Sequence, residues 1–169
     1  MRYFPFLCLG ILLVLAGCVV GPSGDAAQQE RPVTVVLNNT ANSTHTFEVW
    51  VAEFPSNVTV RRDDGLTGTT NIGPGLRSHS PGENHTYTSV ELPDSARLHG
   101  RYTLAPGESN QSSIEELPRD FAVVIVVYQA DDEIIEWASA HCGETLVGMR
   151  VTSRHIRPQA DISASYICR

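Results

Sequence analysis

Residues 121–128, Phe-Ala-Val-Val-Ile-Val-Val-Tyr, constrain the fold more than any other stretch of the chain. A continuous β-branched run of this length reads as a strand buried on both faces, because branched side chains pack well on a pleated surface and lose rotamer freedom in a helix. Ala130-Asp131-Asp132 turns the chain and residues 133–138, Glu-Ile-Ile-Glu-Trp-Ala, return, so a central hairpin is expected. Shorter runs of strand character surround it: residues 33–37, 45–51, 58–61, 85–90, 98–104, 146–152 and 162–168. In the second run Phe47, Val49 and Val51 share one face; in the fifth, Leu98, Gly100, Tyr102 and Leu104 do. Asp63-Asp64-Gly65 and Pro106-Gly107 are turn signals. Residues 66–83, rich in Gly, Ser and Thr, are expected to be irregular, and residues 113–117 are compatible with one short helical turn. The pattern predicts an all-β protein, an antiparallel β-sandwich of immunoglobulin-like or related Greek-key type with about 8 or 9 strands.

The start of the chain is different. After Met1-Arg2, residues 4–16 are almost wholly apolar. The run has the length of a signal-peptide core and falls short of the ~20 residues a membrane-spanning helix needs. It ends in Leu15-Ala16-Gly17-Cys18. This resembles the lipobox of prokaryotic lipoproteins, an apolar residue and two small ones before a cysteine. The resemblance covers residues 1–18 and implies a signal helix removed as residues 1–17, lipid on Cys18, and a membrane partner reached through that lipid. Residues 18–31 carry few large apolar groups after Val19-Val20 and read as a flexible tether, leaving 32–169 as the sandwich domain. Cell-surface localisation on the outer face of the membrane follows.

Composition narrows the chemistry. The 169 residues hold 12 cations against 19 acids, net charge −7, and all twelve cations are arginine. An acidic, lysine-free surface fits a salt-adapted protein, since carboxylate repulsion is screened where the Debye length falls to ~3 Å at molar salt. Without lysine there is no Schiff-base amine, P-loop lysine or Ser-x-x-Lys nucleophile pair. Acidity also argues against a nucleic-acid partner. Composition, N-glycosylation sequons and a C-terminal cysteine pair together resemble secreted lipoproteins of haloarchaea, which implies a location rather than an activity.

Cys8 lies in the signal and Cys18 takes lipid, so Cys142 and Cys168 remain as an expected disulfide in an oxidising exterior. The alternative is a small-ligand or metal carrier: His141, Cys142, Met149 and His155 are the ligand types of a cupredoxin-like copper site. The cupredoxin spacing, with a histidine between cysteine and methionine, is missing from 143–148. Neither a metal nor another cofactor is therefore expected. Asn38, Asn42, Asn57, Asn84 and Asn110 begin N-x-[ST] sequons and are candidate glycan acceptors in loops or at strand ends. Asp63-Asp64 and Asp131-Asp132-Glu133 read as solvated turns. No nucleophile elbow, zinc-protease helix or phosphate loop occurs, so no catalytic residues are expected. The functional expectation is a membrane-anchored, non-catalytic extracellular sandwich that binds an envelope protein or glycan, or supports the envelope.

Overall fold

The computed structural model describes residues 32–129, 132–156 and 159–169. The expected signal segment 1–17, Cys18 and the tether to residue 31 lie outside them. Twelve strands account for most of the described chain: β1 (Val33–Asn39), β2 (His45–Glu53), β3 (Asn57–Arg62), β4 (Thr67–Asn71), β5 (Gly75–His79), β6 (Tyr87–Glu91), β7 (Arg97–Leu104), β8 (Ser109–Ile114), β9 (Phe121–Tyr128), β10 (Ile134–His141), β11 (Leu146–Ile156) and β12 (Gln159–Cys168). They form two sheets. The smaller has the order β12-β11-β1-β8, and the larger runs β4-β3-β6-β10-β9-β2-β7, with β5 also paired to β10. All pairs are antiparallel except β1 with β11, where Val35 lies beside Met149 in parallel register.

The expected all-β sandwich is present, and β9 is its centre. Phe121, Val123, Ile125 and Val127 face the smaller sheet, in a core shared with Val33, Val35 and Leu37 of β1, Phe47 and Val49 of β2, and Met149 of β11. The intervening Ala122, Val124 and Val126 face the other way, into a second core with Val58 of β3, Ile72, Tyr87 of β6 and Trp137 of β10. The ribbon β3-β4-β6 thus covers the outer face of the central hairpin, which is why β9 has no polar alternation. Each fully buried valine or isoleucine stabilises the fold by roughly 1.5–3 kcal/mol relative to an exposed one.

Three expectations are corrected. Residues 66–83 are not irregular: β4 and β5 lie within them. Both strands pair along one edge only; β4 is largely exposed, and in β5 Leu76 is the one apolar side chain that packs against the core, so neither carries an apolar alternation. Residues 113–117 form no helical turn, because Ser113 and Ile114 end β8, which pairs with β1. These additions raise the strand number above the expected 8 or 9. Leu98 does not share the buried face with Gly100, Tyr102 and Leu104: a bulge sets Val49 against Gly100 and Trp50 against Leu98, and Leu98 is 48% exposed.

Glu136 keeps the alternation of Ala138 and Ala140 and points to the inner face opposite Val127, while a second bulge, between Ile134 and Glu136, sends Ile134 to the other core. There Glu136 accepts a hydrogen bond from Ser78 of β5 and one of 3.1 Å from the backbone N–H of Ile162 on the edge strand β12. A carboxylate of the large sheet therefore occupies a donor on the open edge of the small one. Burial pushes the Glu136 carboxyl above the usual range, against the lowering effect of these two bonds, and Asp161 nearby acts with burial. A carboxyl raised on folding contributes stability that is complete below the unfolded pKa and is lost as pH rises through the folded one. Glu136→Gln is accordingly expected to remove part of the pH dependence of unfolding. Wild type should lose stability relative to the variant as pH rises from the ordinary glutamate range towards neutrality. Urea titrations of both proteins across that range check this, and a difference that does not vary with pH refutes it.

Candidate functional site

At one end of the sandwich the β1–β2 and β5–β6 loops, the start of β10 and the end of β11 enclose a cleft of about 320 Å3. Its walls include Asn42, Ser43, His85, Glu133, Ile135 and His155. Beneath it lies His45, the first residue of β2 and fully buried. Its Nε2 is 3.1 Å from the Ser43 hydroxyl oxygen. Burial, and then the nearby His155, hold the His45 imidazole below its ordinary pKa, so the ring is neutral at pH 7. Three of the six histidines are thus gathered around one cleft. No spacing in the sequence announces this, because they come from β2, the β5–β6 loop and β11.

The Ser43–His45 pair has two parts of a nucleophilic site, with no third among the described residues. In such sites a carboxylate or carbonyl on Nδ1 fixes the tautomer that leaves Nε2 free to accept the hydroxyl proton. The Nδ1 of His45 is buried with no hydrogen-bond partner among the described residues. A neutral ring protonated at Nε2 donates to the Ser43 oxygen instead of accepting from it, which leaves the hydroxyl unactivated. As built, the cleft offers hydroxyl, amide, imidazole and, from Glu133, carboxylate groups to a ligand.

On the outer side of His85, its Nδ1 lies 2.9 Å from Asp63 Oδ1 and 4.0 Å from Asp64 Oδ2. The three side chains place their ligating atoms within 4.8 Å of one another. Asp64 is also paired with Arg62, in the tight β3–β4 turn that Gly65 closes with φ +82°. The bond from His85 holds the Asp63 carboxyl below its usual range, and the bond from Arg62 does the same for Asp64. Both carboxylates are therefore engaged by side chains of the chain itself, His85 and Arg62, in keeping with the reading of Asp63-Asp64 as turn residues. Asp131 lies outside the described residues, and Asp132 accepts from Arg101 at 2.9 Å.

The copper set is not assembled. Cys142 is bonded to Cys168, with Cα atoms 6.1 Å apart, so its sulfur is not available as a thiolate. His141 is spent on structure: its Nδ1 is 2.8 Å from the Phe121 carbonyl oxygen and its ring stacks on Phe54 at 3.5 Å. Met149 is buried in the core. His155 stands apart at the end cleft.

The five sequon asparagines differ in setting. Asn42, Asn57 and Asn84 are exposed, the first in a bend, the second at the start of β3, and the third in a turn with φ 62°. Asn38 is half-buried between β8 and β11, and its amide donates to Thr152 at 3.2 Å. Asn110 lies opposite Leu37, on the face that looks into the sandwich, and its Oδ1 is buried.

No family model matches the chain. No curated protein matches it either. Among solved structures, one described as a trapped toxin matches 80% of this chain and 23% of its own at 10% identity and a TM-score of 0.39. A disulfide-locked mutant of intermedilysin with human CD59 matches 80% of this chain and 24% of its own at 8% identity and a TM-score of 0.39. The human-specific toxin intermedilysin matches 82% of this chain and 24% of its own at 7% identity and a TM-score of 0.40. The chain spans about a quarter of the length of these proteins. A likeness this slight carries no argument.

Proposed function

We infer that the chain is an extracellular lipoprotein, held to the cell membrane by lipid on Cys18, whose sandwich is a non-catalytic binding module of the envelope. The observation that carries this reading is the Cys142–Cys168 disulfide in a chain that begins with a lipobox. A bridge of this kind belongs to an oxidising exterior, and the lipobox supplies the route there. The acidic, lysine-free composition supports a saline exterior. The accessible sequons Asn42, Asn57 and Asn84 are the proposed glycan acceptors, while Asn38 and Asn110 are occupied by the sheet. Among the described residues His45 Nδ1 has no orienting partner, which supports binding over catalysis, and the end cleft is the place for a small polar ligand or a sugar of the partner.

Expression in a lipoprotein-processing host tests the reading. Wild type is expected in the membrane fraction, with a lipid mass on the Cys18 peptide, and Cys18→Ser is expected in the medium. An activated-serine probe such as a fluorophosphonate should leave Ser43 unmodified. Equal partitioning of the two proteins sinks the anchor, and labelling of Ser43 that is abolished by His45→Ala sinks the non-catalytic reading.

A further inference from the structure

The outer face of the small sheet differs from the rest of the surface. A shallow groove of about 860 Å3 runs across it, lined by residues that include Pro32, Val36, Val147, Arg150, Ile167 and Arg169. No carboxylate side chain lines it, in a protein with 19 acids and 12 arginines. The register puts Thr34, Gly148 and Ile167 in one row of this face and Val36, Arg150 and Ser165 in the next. Ile167 leans over Gly148, where a Cβ would come within 3.9 Å of its Cδ1. At 63% exposure it is the most exposed large apolar side chain among the described residues. Arginine beside exposed aliphatic groups is the chemistry of a surface that meets lipid headgroups: the guanidinium forks onto phosphate while the apolar neighbours enter the boundary layer.

The chain outside the structure ends at this groove, since Pro32 lines it. We propose that this face docks on the anionic headgroup surface of the membrane that holds the protein. The inference rests on the lipid anchor proposed above. A random coil of 14 residues, the number from Cys18 to residue 31, has a typical span of roughly 20 Å. At that distance the membrane is presented to the groove at a millimolar-range effective concentration, so a contact too weak to recruit the free protein is populated in the anchored one. The groove end of this face, lined by Arg150 and Arg169 with no carboxylate side chain, is the part that can turn inward, whereas Asp161 farther along the face is paired with Arg154; this directs the end cleft and the β3–β4 ribbon away from the attachment point.

The test uses the full lipidated chain in vesicles, with a fluorophore on Ser165→Cys in the groove face or on Thr69→Cys of the exposed strand β4, and a quencher on the lipid headgroup. Phosphatidylglycerol vesicles should quench the label at 165 and spare that at 69. The double change Arg150→Glu with Arg169→Glu should reduce the docked fraction roughly tenfold or more, two surface arginines having been reversed. Phosphatidylcholine vesicles should give little quenching at either site. Equal quenching at both positions overturns the inference, as does quenching indifferent to lipid charge, or self-quenching at 165 that grows with protein density and marks a second copy as the occupant. The two readings fail separately. A Cys18 peptide without lipid removes the anchor and this inference with it, whereas a lipidated protein whose label at 165 stays in water removes this inference alone.

Discussion

Trp137→Ala is expected to destabilise the protein by about 3–5 kcal/mol, a large share of what a domain of this size possesses. Trp137 is fully buried, faces the second core and stacks on His79 with ring centroids 4.0 Å apart. Its removal leaves a cavity between β10 and the ribbon β3-β4-β6, whose attachment to the central hairpin depends on that core. Trp137→Phe should cost much less. The indole N–H has no hydrogen-bond partner among the described residues, so only size and stacking are altered. Urea unfolding followed by far-ultraviolet circular dichroism distinguishes the two. Equal losses for Ala and Phe would show that the indole nitrogen has a partner that matters.

The second large effect belongs to the disulfide. Cys142 follows β10 of the large sheet and Cys168 ends β12 of the small one, so the bond joins the two layers and closes a loop with a sequence separation of 26. In the chain-entropy account a loop of that length is worth about 3 kcal/mol. The double change Cys142→Ser with Cys168→Ser should therefore lower the melting temperature by roughly 10 °C in a domain of this size. Reduction of the wild type should give the same shift. The measurement is a thermal scan of wild type, reduced wild type and double variant at one salt concentration. An unchanged midpoint would mean that β12 is held by its pairing with β11 and by the Glu136 bond alone.

Legibility in the sequence followed burial. The hairpin β9–β10 could be read because Phe121 to Val127 face apolar cores on both sides, and the disulfide because compartment left one pair of cysteines. Strands β4, β5 and β8 were illegible for the converse reason. Thr67–Asn71 and Ser109–Ile114 lie at sheet edges, with polar side chains at nearly every position, and only pairing to β3 and β1 holds them extended. Glu136 shares the alternation of Ala138 and Ala140, but a carboxyl at a core position gives no apolar signal, and its partners Ser78 and Ile162 come from distant strands. The end cleft was illegible altogether. Ser43 and His45 are two apart in sequence, but what makes them a site is the arrival of His85 and His155 from distant elements.

The parallel pairing of β1 with β11 has a kinetic consequence. Val35 and Met149 are separated by most of the described chain, and the other neighbour of β1, strand β8, is also made long after it. The first of the described strands to leave the ribosome is thus the centre of a sheet whose two flanks do not yet exist. Closing contacts at such separations is slow, because the loop entropy is lost before any pairing rewards it. Until then Val-Thr-Val-Val-Leu of β1 presents two bare edges to any other extended chain. A polypeptide built this way profits from being kept unfolded until its last quarter has been delivered, and its time of greatest risk is the interval before β11 arrives.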